Sequence, residues 1–148
     1  MMKSMTPAQK ELVRSSFPSI AEIAGPIAKL FYGRLFQMDP RLRPFFKQDI
    51  EVQGRKLMDM LTALTTNLDH FEDMIPVLRA LGQRHAGYGV RPEHYPLVTT
   101  SLLWAFGTAL QADFYPELRA AWHTVIEMVA EVMKDGAAEL GPIEESVR

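Results

Sequence analysis

Residues 78–95 read LRALGQRHAGYGVRPEHY, and their pattern places a histidine on the inner face of a helix. Leu78, Leu81 and His85 recur at helical spacing, so the imidazole shares one stripe with apolar side chains. The two glycines that follow are suited to ending a helix in a left-handed turn, and Pro92 is suited to the first turn of the next helix. The sequence therefore predicts an inward-facing histidine at a helix end, beside a tight corner.

The ring nitrogens of this histidine decide what it can do. One nitrogen can donate to the backbone carbonyl of Leu81, one turn earlier, which leaves the lone pair of the other free for a metal ion or a donor. A lone histidine on an apolar face more often has a plain structural role in the core than a role as a ligand. The choice between a ligand and a core residue depends on the rest of the chain.

The composition limits the classes of protein to which the chain can belong. A chain of 148 residues suffices for one domain with a large core, and a formal net charge of -2 gives no footprint for nucleic acid or an anionic membrane. The absence of cysteine excludes disulfides, thiolate metal sites and thiol nucleophiles. The amino terminus lacks the apolar core of a signal peptide, and the uncharged residues 95–112 are too polar to span a membrane, so we expect a cytoplasmic protein.

The positions of proline, glycine and capping residues predict the helices. No run of residues alternates with strand period, so the predicted fold class is all-α, with a single domain over 1–148 and tails at 1–5 and 142–148. In the first half of the chain, the predicted elements are a helix from Thr6-Pro7 to about Ser16, a second helix after Pro26 that stops at Asp39-Pro40, and a short helical turn from Pro40 to Phe46. A third long helix is capped by Asp49. In the second half, we predict a helix from Pro76 to His85, a helix opened by Pro92, and a last helix from Pro116 to Gly141-Pro142.

Two other helices carry polar groups on their inner faces. Gln53 is the polar member of an otherwise apolar stripe, and Tyr32 adds a phenol. One histidine and one glutamine do not hold a metal ion alone, because first-row metals require several ligands, and the chain has no His-Glu-x-x-His motif. A cofactor that brings four nitrogens of its own would need only one imidazole.

At these positions the chain resembles the globin family, in particular the bacterial single-domain globins and the globin domain of flavohaemoglobins. The resemblance runs from about Thr6 to Gly136. It implies a globin fold, which is a three-over-three helical sandwich with a short C helix and a tight CD corner. The landmarks that carry it are Phe31-Tyr32-x-Arg34-Leu35-Phe36, Pro40 to Phe46, Gln53-Gly-Arg-Lys-Leu57, Leu81-Gly-x-Arg-His85, and the ten-residue step from His85 to Tyr95.

The resemblance also implies a cofactor, a non-covalent b-type haem whose iron is penta-coordinate. His85 would be the proximal iron ligand, the axial arrangement of globins. Tyr32 and Gln53 would line the opposite, distal face and hydrogen-bond a bound dioxygen. The remaining implied roles are Phe46 stacking on the porphyrin, Pro40 positioning that corner, Leu57 setting the size of the distal pocket, Val90 touching the porphyrin edge, Arg84 or Lys56 meeting a propionate, and Tyr95 supporting His85.

One position departs from the flavohaemoglobin pattern. In that domain, a tyrosine ten residues after the proximal histidine and a glutamate on the last helix support the histidine. Tyr95 matches the tyrosine, but alignment on Trp122 places Ala137 at the position of the glutamate, and Asp135 and Glu139 point elsewhere on the helix. The resemblance therefore implies an imidazole with weaker anionic character and less activating chemistry.

Reversible binding of dioxygen, or of nitric oxide or carbon monoxide, is the function that the resemblance implies, with a role in oxygen binding, transport or storage rather than as a stand-alone enzyme. One alternative is a nitric oxide dioxygenase that works with a separate reductase. A second alternative is a haem-free interaction or signalling module with the same fold, in which His85 is a core histidine. The sequence predicts no oligomeric state.

Overall fold

The computed structural model of the protein describes residues 4–46 and 49–139, and these residues form six α-helices joined by short 3₁₀ helices. No strand occurs in this part of the chain, so the predicted all-α class is confirmed. The helices are α1 (Pro7–Glu22), α2 (Ala24–Met38), α3 (Ile50–Thr66), α4 (Ile75–Gly87), α5 (Tyr95–Leu110) and α6 (Pro116–Ala138), and the 3₁₀ helices lie at Pro40–Phe45, Leu68–Asp73, Pro92–His94 and Gln111–Asp113.

The helices form the predicted three-over-three sandwich. One layer contains α1, α3 and α4, and the other contains α2, α5 and α6. The layers meet mainly where α4 packs on α6 and where α3 packs on α2, and α2 lies beside α5 within its layer. Each helix buries one apolar stripe in this arrangement, as amphipathic helices of a single core do.

The longest helix, α6, carries the centre of the core. Trp122 is fully buried, and its ring packs edge-on against Phe106, with 5.1 Å between ring centroids. The indole N–H donates a hydrogen bond of 2.9 Å to the hydroxyl of Ser16 on α1, which satisfies the polar atom that burial would otherwise leave without a partner. This contact ties the first helix to the last.

The predicted helix starts at Thr6 and Asp49 are confirmed. The Thr6 hydroxyl accepts a hydrogen bond of 3.1 Å from the backbone N–H of Gln9, and the Gln9 side chain accepts one from the N–H of Thr6, which completes a capping box. The Asp49 carboxylate accepts a hydrogen bond from the N–H of Glu51. Both caps satisfy donors that the first turn of a helix leaves unpaired.

The predicted end of the first helix near Ser16 is wrong, because α1 continues through Pro18 to Glu22. Proline in a helix interior removes a backbone donor and costs about 3 kcal/mol. Phe17 and Ile20 lie on either side of it and are 8% and 0% exposed, respectively. Their burial in the core offsets the cost of the proline.

Two helix starts also differ from the prediction, and the first is that of α2, which was expected after Pro26 and begins at Ala24. The helix expected to open at Pro92 begins at Tyr95, because residues 92–94 form a 3₁₀ turn. The expected end of the last helix at Gly141-Pro142 lies outside the described residues. Met5, assigned to the amino-terminal tail, is 9% exposed and belongs to the core.

No helix in the described residues is long and apolar enough to cross a membrane.

Two glycines bring the backbones of α4 and α6 into direct contact. A methyl group built on Gly82 would overlap the backbone of Met133, and one built on Gly136 would overlap the backbone of Arg79. Only glycine permits an approach this close, since every other residue carries a Cβ atom. The position of α4 against α6 therefore depends on these two residues.

Gly82→Ala should destabilise the protein by about 3 kcal/mol, because the added methyl group must push α4 away from α6. Gly33→Ala is the matched control, since a Cβ at Gly33 meets no atom within 4 Å. That variant should gain about 0.5–1 kcal/mol from better helix propensity. Urea unfolding followed by circular dichroism measures both. Equal effects of the two substitutions would contradict the close crossing.

Candidate functional site

We call the region between α3 and α4 the crevice; the 3₁₀ helix Leu68–Asp73 joins these two helices. Their backbones hardly contact each other, because α3 packs on α2 and α4 packs on α6. Both inner stripes are buried near the connection, at residues such as Leu64 and Leu78, each 0% exposed. Away from the connection the stripes become half-buried, at Leu57 on α3 and Leu81 on α4. These half-buried apolar faces form the walls of the crevice.

His85 stands on the α4 wall, and its predicted hydrogen bond is confirmed. Its Nδ1 atom lies 2.9 Å from the carbonyl oxygen of Leu81, and since a carbonyl only accepts, Nδ1 carries the proton. Burial holds the pKa of His85 below its ordinary value; the bond to Leu81 opposes this shift and the charge of Arg84 adds to it. The imidazole is therefore neutral at pH 7, and Nε2 has no hydrogen-bond partner in the described residues.

The end of α4 holds this histidine in place. The carbonyl of His85 accepts hydrogen bonds of 3.0 Å from the N–H groups of both Tyr88 and Val90. Gly89, at a φ angle of +105°, provides the predicted left-handed turn. The N–H of Arg91 donates a 2.9 Å bond to Nδ1 of His94, which closes the corner. These hydrogen bonds and the turn at Gly89 thus fix the backbone on the carboxyl side of His85.

Three aromatic side chains gather on the side of the molecule where α2 meets the 3₁₀ helix Pro40–Phe45. The ring of Tyr32 lies 5.3 Å from that of Phe46 and 6.1 Å from that of Phe36, centroid to centroid. Tyr32 is 5% exposed, and its hydroxyl has no hydrogen-bond partner in the described part of the chain. Burial raises the pKa of Tyr32 to about 12. A neutral phenol with an uncommitted O–H is therefore available as a donor on this side.

The short helix Pro40–Phe45 places Phe46 at its end. Asp39, 8% exposed, accepts hydrogen bonds from the backbone N–H and the guanidinium of Arg41, at 3.1 Å and 2.9 Å, which starts this helix. The guanidinium of Arg41 holds the pKa of the Asp39 carboxyl below its ordinary value. The cap, rather than a bound ligand, thus accounts for this buried carboxylate.

The other residues predicted for the site occupy different environments. Gln53 and Leu57 lie half-buried on the inner stripe of α3, and Val90 is half-buried at the corner, so all three can line the crevice. Lys56 and Arg84 are exposed, as residues that meet a charged group at the edge would be.

Tyr95 is 9% exposed, and its burial raises its pKa. No hydrogen bond to its hydroxyl occurs in the described residues. Glu139 is engaged elsewhere, since it pairs with Arg79 and accepts a hydrogen bond of 3.2 Å from Gln83, both on α4. The hydrogen bond from His85 Nδ1 goes to the neutral carbonyl of Leu81.

Sequence reasoning missed two aromatic residues and the role of a histidine. Phe36 contacts both Tyr32 and Phe46, and only the fold brings these three together. Phe45 packs on the turn between α4 and α5, where its ring centroid lies 5.5 Å from that of His94. His94 follows Arg91 by three residues in a turn that contains a proline, and this local spacing was the signal for its capping bond.

An open cavity of about 720 Å³ lies between the helix Pro40–Phe45 and residues 89–97, which connect α4 to α5. Neither His85, Tyr32 nor Gln53 lines it, so it is separate from the crevice. In the described residues, no three histidine, aspartate or glutamate side chains lie close enough together to hold a metal ion. His85 is therefore a single candidate ligand.

Comparisons with known proteins identify the class. The family model for globins matches residues 29–133, and the chain belongs to the globin family. It is 31% identical over 126 residues to the flavohemoprotein of Halalkalibacterium halodurans, an alignment that covers 83% of this chain and 31% of that protein. The flavohemoprotein of Xylella fastidiosa is also 31% identical, over 93% of this chain and 35% of its own length. The chain thus spans about a third of these relatives.

Two solved structures share the fold. An engineered carbene transferase made from a candidate nitric oxide dioxygenase of Rhodothermus marinus superposes with a TM-score of 0.86 at 26% identity, over 96% of this chain and 99% of the other. A bacterial globin from Campylobacter jejuni gives a TM-score of 0.80 at 22% identity, over 91% and 98% of the two chains. Membership of the globin family implies haem binding and a small diatomic ligand.

Tyr32→Phe should weaken the loss of stability at high pH. The folded state holds the phenol proton up to about pH 12, whereas an unfolded tyrosine releases it near pH 10. The stabilisation is complete below pH 10 and disappears as the pH rises to about 12, a change of about 2–3 kcal/mol. Urea unfolding of the haem-free chain at about pH 10 and at about pH 12 measures this change in stability. The control is the substitution Tyr115→Phe at an exposed tyrosine. The assignment fails if Tyr32→Phe keeps the full pH dependence of the parent.

Proposed function

We propose that this protein is a globin that holds one b-type haem in the crevice and reversibly binds dioxygen or another diatomic gas. The observation that carries the proposal is the neutral imidazole of His85, with Nδ1 donating to the Leu81 carbonyl and Nε2 without a partner among residues 4–46 and 49–139. This is the arrangement that a histidine ligand of a metal requires. Family membership directs the proposal to haem iron.

The residues around the crevice fit this cofactor. The apolar walls at Leu57, Leu81 and Val90 remain half-buried, so an apolar macrocycle would bury surface that the protein alone leaves accessible. Phe46 would stack on it, and Lys56 or Arg84 at the edge would pair with a propionate. Haem would supply an iron ion that binds a diatomic gas, and His85 would hold that iron.

Tyr32 and Gln53 would face the bound gas. The phenol of Tyr32 stays neutral because burial raises its pKa to about 12, so it donates rather than repels. Gln53 stands half-buried at the start of α3, on the same stripe as Leu57. Hydrogen bonds from these two side chains would slow the release of a ligand that carries partial negative charge. Reversible binding of dioxygen with slow release is the consequence.

The histidine side of the crevice favours binding over activation. The acceptor for His85 is the neutral carbonyl of Leu81 rather than a carboxylate. A neutral acceptor withdraws the Nδ1 proton less strongly, so the imidazole donates less electron density to the metal. This property supports a role in oxygen binding, storage or transport.

A nitric oxide dioxygenase that works with a separate reductase is the second candidate. The observation in its favour is the similarity, over 96% of the chain, to the Rhodothermus marinus protein described above. Sustained consumption of nitric oxide over many turnovers, with a cellular reductase as electron source, separates this function from simple gas binding.

His85→Gly should abolish stoichiometric haem binding, and added imidazole should restore it. The substitution removes the axial ligand and leaves a space that free imidazole can occupy. Absorption spectra of the reconstituted ferric, ferrous and carbon monoxide forms measure this through the Soret band. His123→Gly, which removes another half-buried helical histidine, is the matched control and should bind haem normally. A parent protein without a stoichiometric Soret band would instead support the haem-free interaction module.

Tyr32→Phe combined with Gln53→Leu should accelerate dioxygen release about a hundredfold. Two hydrogen bonds to a charged acceptor, at roughly 1.5 kcal/mol each, account for this factor. Stopped-flow mixing of the oxygenated protein with a dioxygen scavenger gives the rate. The pair Tyr115→Phe and Gln37→Leu makes the same chemical changes at exposed positions and should leave the rate unchanged. An unaltered rate in the Tyr32 and Gln53 variant would refute the distal assignment.

A further inference from the structure

The open cavity of about 720 Å³ beside the helix Pro40–Phe45 is not part of the proposed haem site, because none of the residues that line it was assigned to the haem. Its volume falls in the range of about 300–1,000 Å³ that is typical of small-molecule sites. The end of α2 and the 3₁₀ helix form one wall, and residues 89–97 form the other. Both walls carry apolar as well as charged side chains, so the charges that remain unpaired decide which ligand fits.

The apolar part of the cavity is formed by Leu42 and Phe45 on one wall and by Leu97 on the other. Leu42 is buried, whereas Phe45 and Leu97 are half-buried. The ring of Phe45 packs edge-on against His94, which fixes its position between the two walls. An apolar group placed among these side chains would cover surface that is now accessible, and removing such surface from water is favourable.

The cation on the first wall is already balanced. The guanidinium of Arg41 donates two hydrogen bonds to the carboxylate of Asp39, at 2.9 Å and 3.1 Å. Asp39 raises the pKa of Arg41, and the negative charge of Glu93 adds to this rise. Both carboxylates that line the cavity thus act on the same cation.

The second wall carries a cation and a ring N–H that are not balanced in this way. Arg91 lines the cavity, and its guanidinium forms no ion pair with any residue in 4–46 or 49–139. Nδ1 of His94 accepts a hydrogen bond of 2.9 Å from the backbone N–H of Arg91, so Nε2 carries the ring proton. No acceptor for this proton occurs among the same residues. A carboxylate suits both groups, since it accepts hydrogen bonds strongly and carries the opposite charge to Arg91.

We propose that this cavity binds a small organic anion, whose carboxylate meets Arg91 and His94 and whose apolar body covers Leu42, Phe45 and Leu97. An organic cation would be repelled by Arg91, while the carboxylates of the cavity already act on Arg41. An uncharged molecule of the same shape would gain the apolar contact alone, and a small inorganic anion would gain the polar contact alone. The unbalanced cation and the apolar wall together thus select a carboxylate with a hydrocarbon body.

Titration of the full chain with octanoate, followed by amide proton–nitrogen correlation NMR spectra, tests the proposal. Any haem that is present is kept in the diamagnetic ferrous carbon monoxide form, so that the amide signals stay sharp. Octanoate should bind with a dissociation constant below about 1 mM and should shift the amide signals of Gly89 and Leu97. Acetate lacks the hydrocarbon chain, octan-1-ol lacks the charge and octylamine reverses it, so each should bind at least about tenfold more weakly. Absence of these shifts up to about 5 mM octanoate, or equal binding of any of the three other probes, would overturn the proposal.

Variants of the cavity identify the groups that hold the anion. Arg91→Gln should weaken octanoate binding by at least about tenfold, because it removes the unbalanced cation from an exposed position. Leu97→Glu places a carboxylate in the apolar wall and should weaken binding as well. Arg119→Gln is the matched control, since Arg119 is exposed on α6 and does not line the cavity, and it should bind octanoate as the parent does. Parent-like affinity of Arg91→Gln, or equal weakening by Arg119→Gln, would refute the carboxylate site. Unchanged thermal unfolding of each variant ensures that a loss of binding reflects the cavity rather than the fold.

Discussion

The contact between α4 and α6 at Gly82 and Gly136 determines where the candidate ligand stands. Because the two backbones touch there, α4 is fastened to the helix that carries the core residue Trp122. The carboxyl end of α4 is free of α3, so the crevice exists between two helices that are each anchored to a different partner. An α4 packed directly on α3 would fill that space with its own side chains. The close packing of α4 on α6 thus keeps α4 apart from α3, and this separation leaves room for the crevice.

The polar groups that we propose for the two sides of the crevice, the imidazole of His85 and the phenol of Tyr32, are neutral over a wide range of pH. Burial lowers the pKa of His85 and raises that of Tyr32 to about 12, so neither side chain is ionised between neutral pH and about pH 10. Within the part of the chain that the structure describes, each has one hydrogen-bonding function without a partner: the lone pair of Nε2 of His85 and the O–H of Tyr32. A site of this kind suits a small uncharged ligand, because it presents an acceptor for a metal and a donor for the ligand without any fixed charge.

Sequence reasoning succeeded where a feature depends on local geometry. The bond from His85 to Leu81 and the left-handed turn at Gly89 could be predicted, because helix periodicity and glycine conformation operate within a few residues. It failed at Pro18, since the burial that keeps α1 helical there comes from other helices. Phe36 was one of the landmark residues but received no role in the site for the same reason: its contact with Phe46 requires residues 40–46 to fold back against α2.

The hydrogen bond between Trp122 and Ser16 has a consequence for how the chain folds. It joins residues 106 positions apart, and α1 packs on α6 along this contact. During synthesis, α1 leaves the ribosome long before its main neighbour exists, so its apolar stripe stays uncovered until α6 follows. The pairing of α4 with α6 likewise waits for the last helix. Folding of this domain is therefore expected to wait for α6, because α6 supplies the contacts that complete the core.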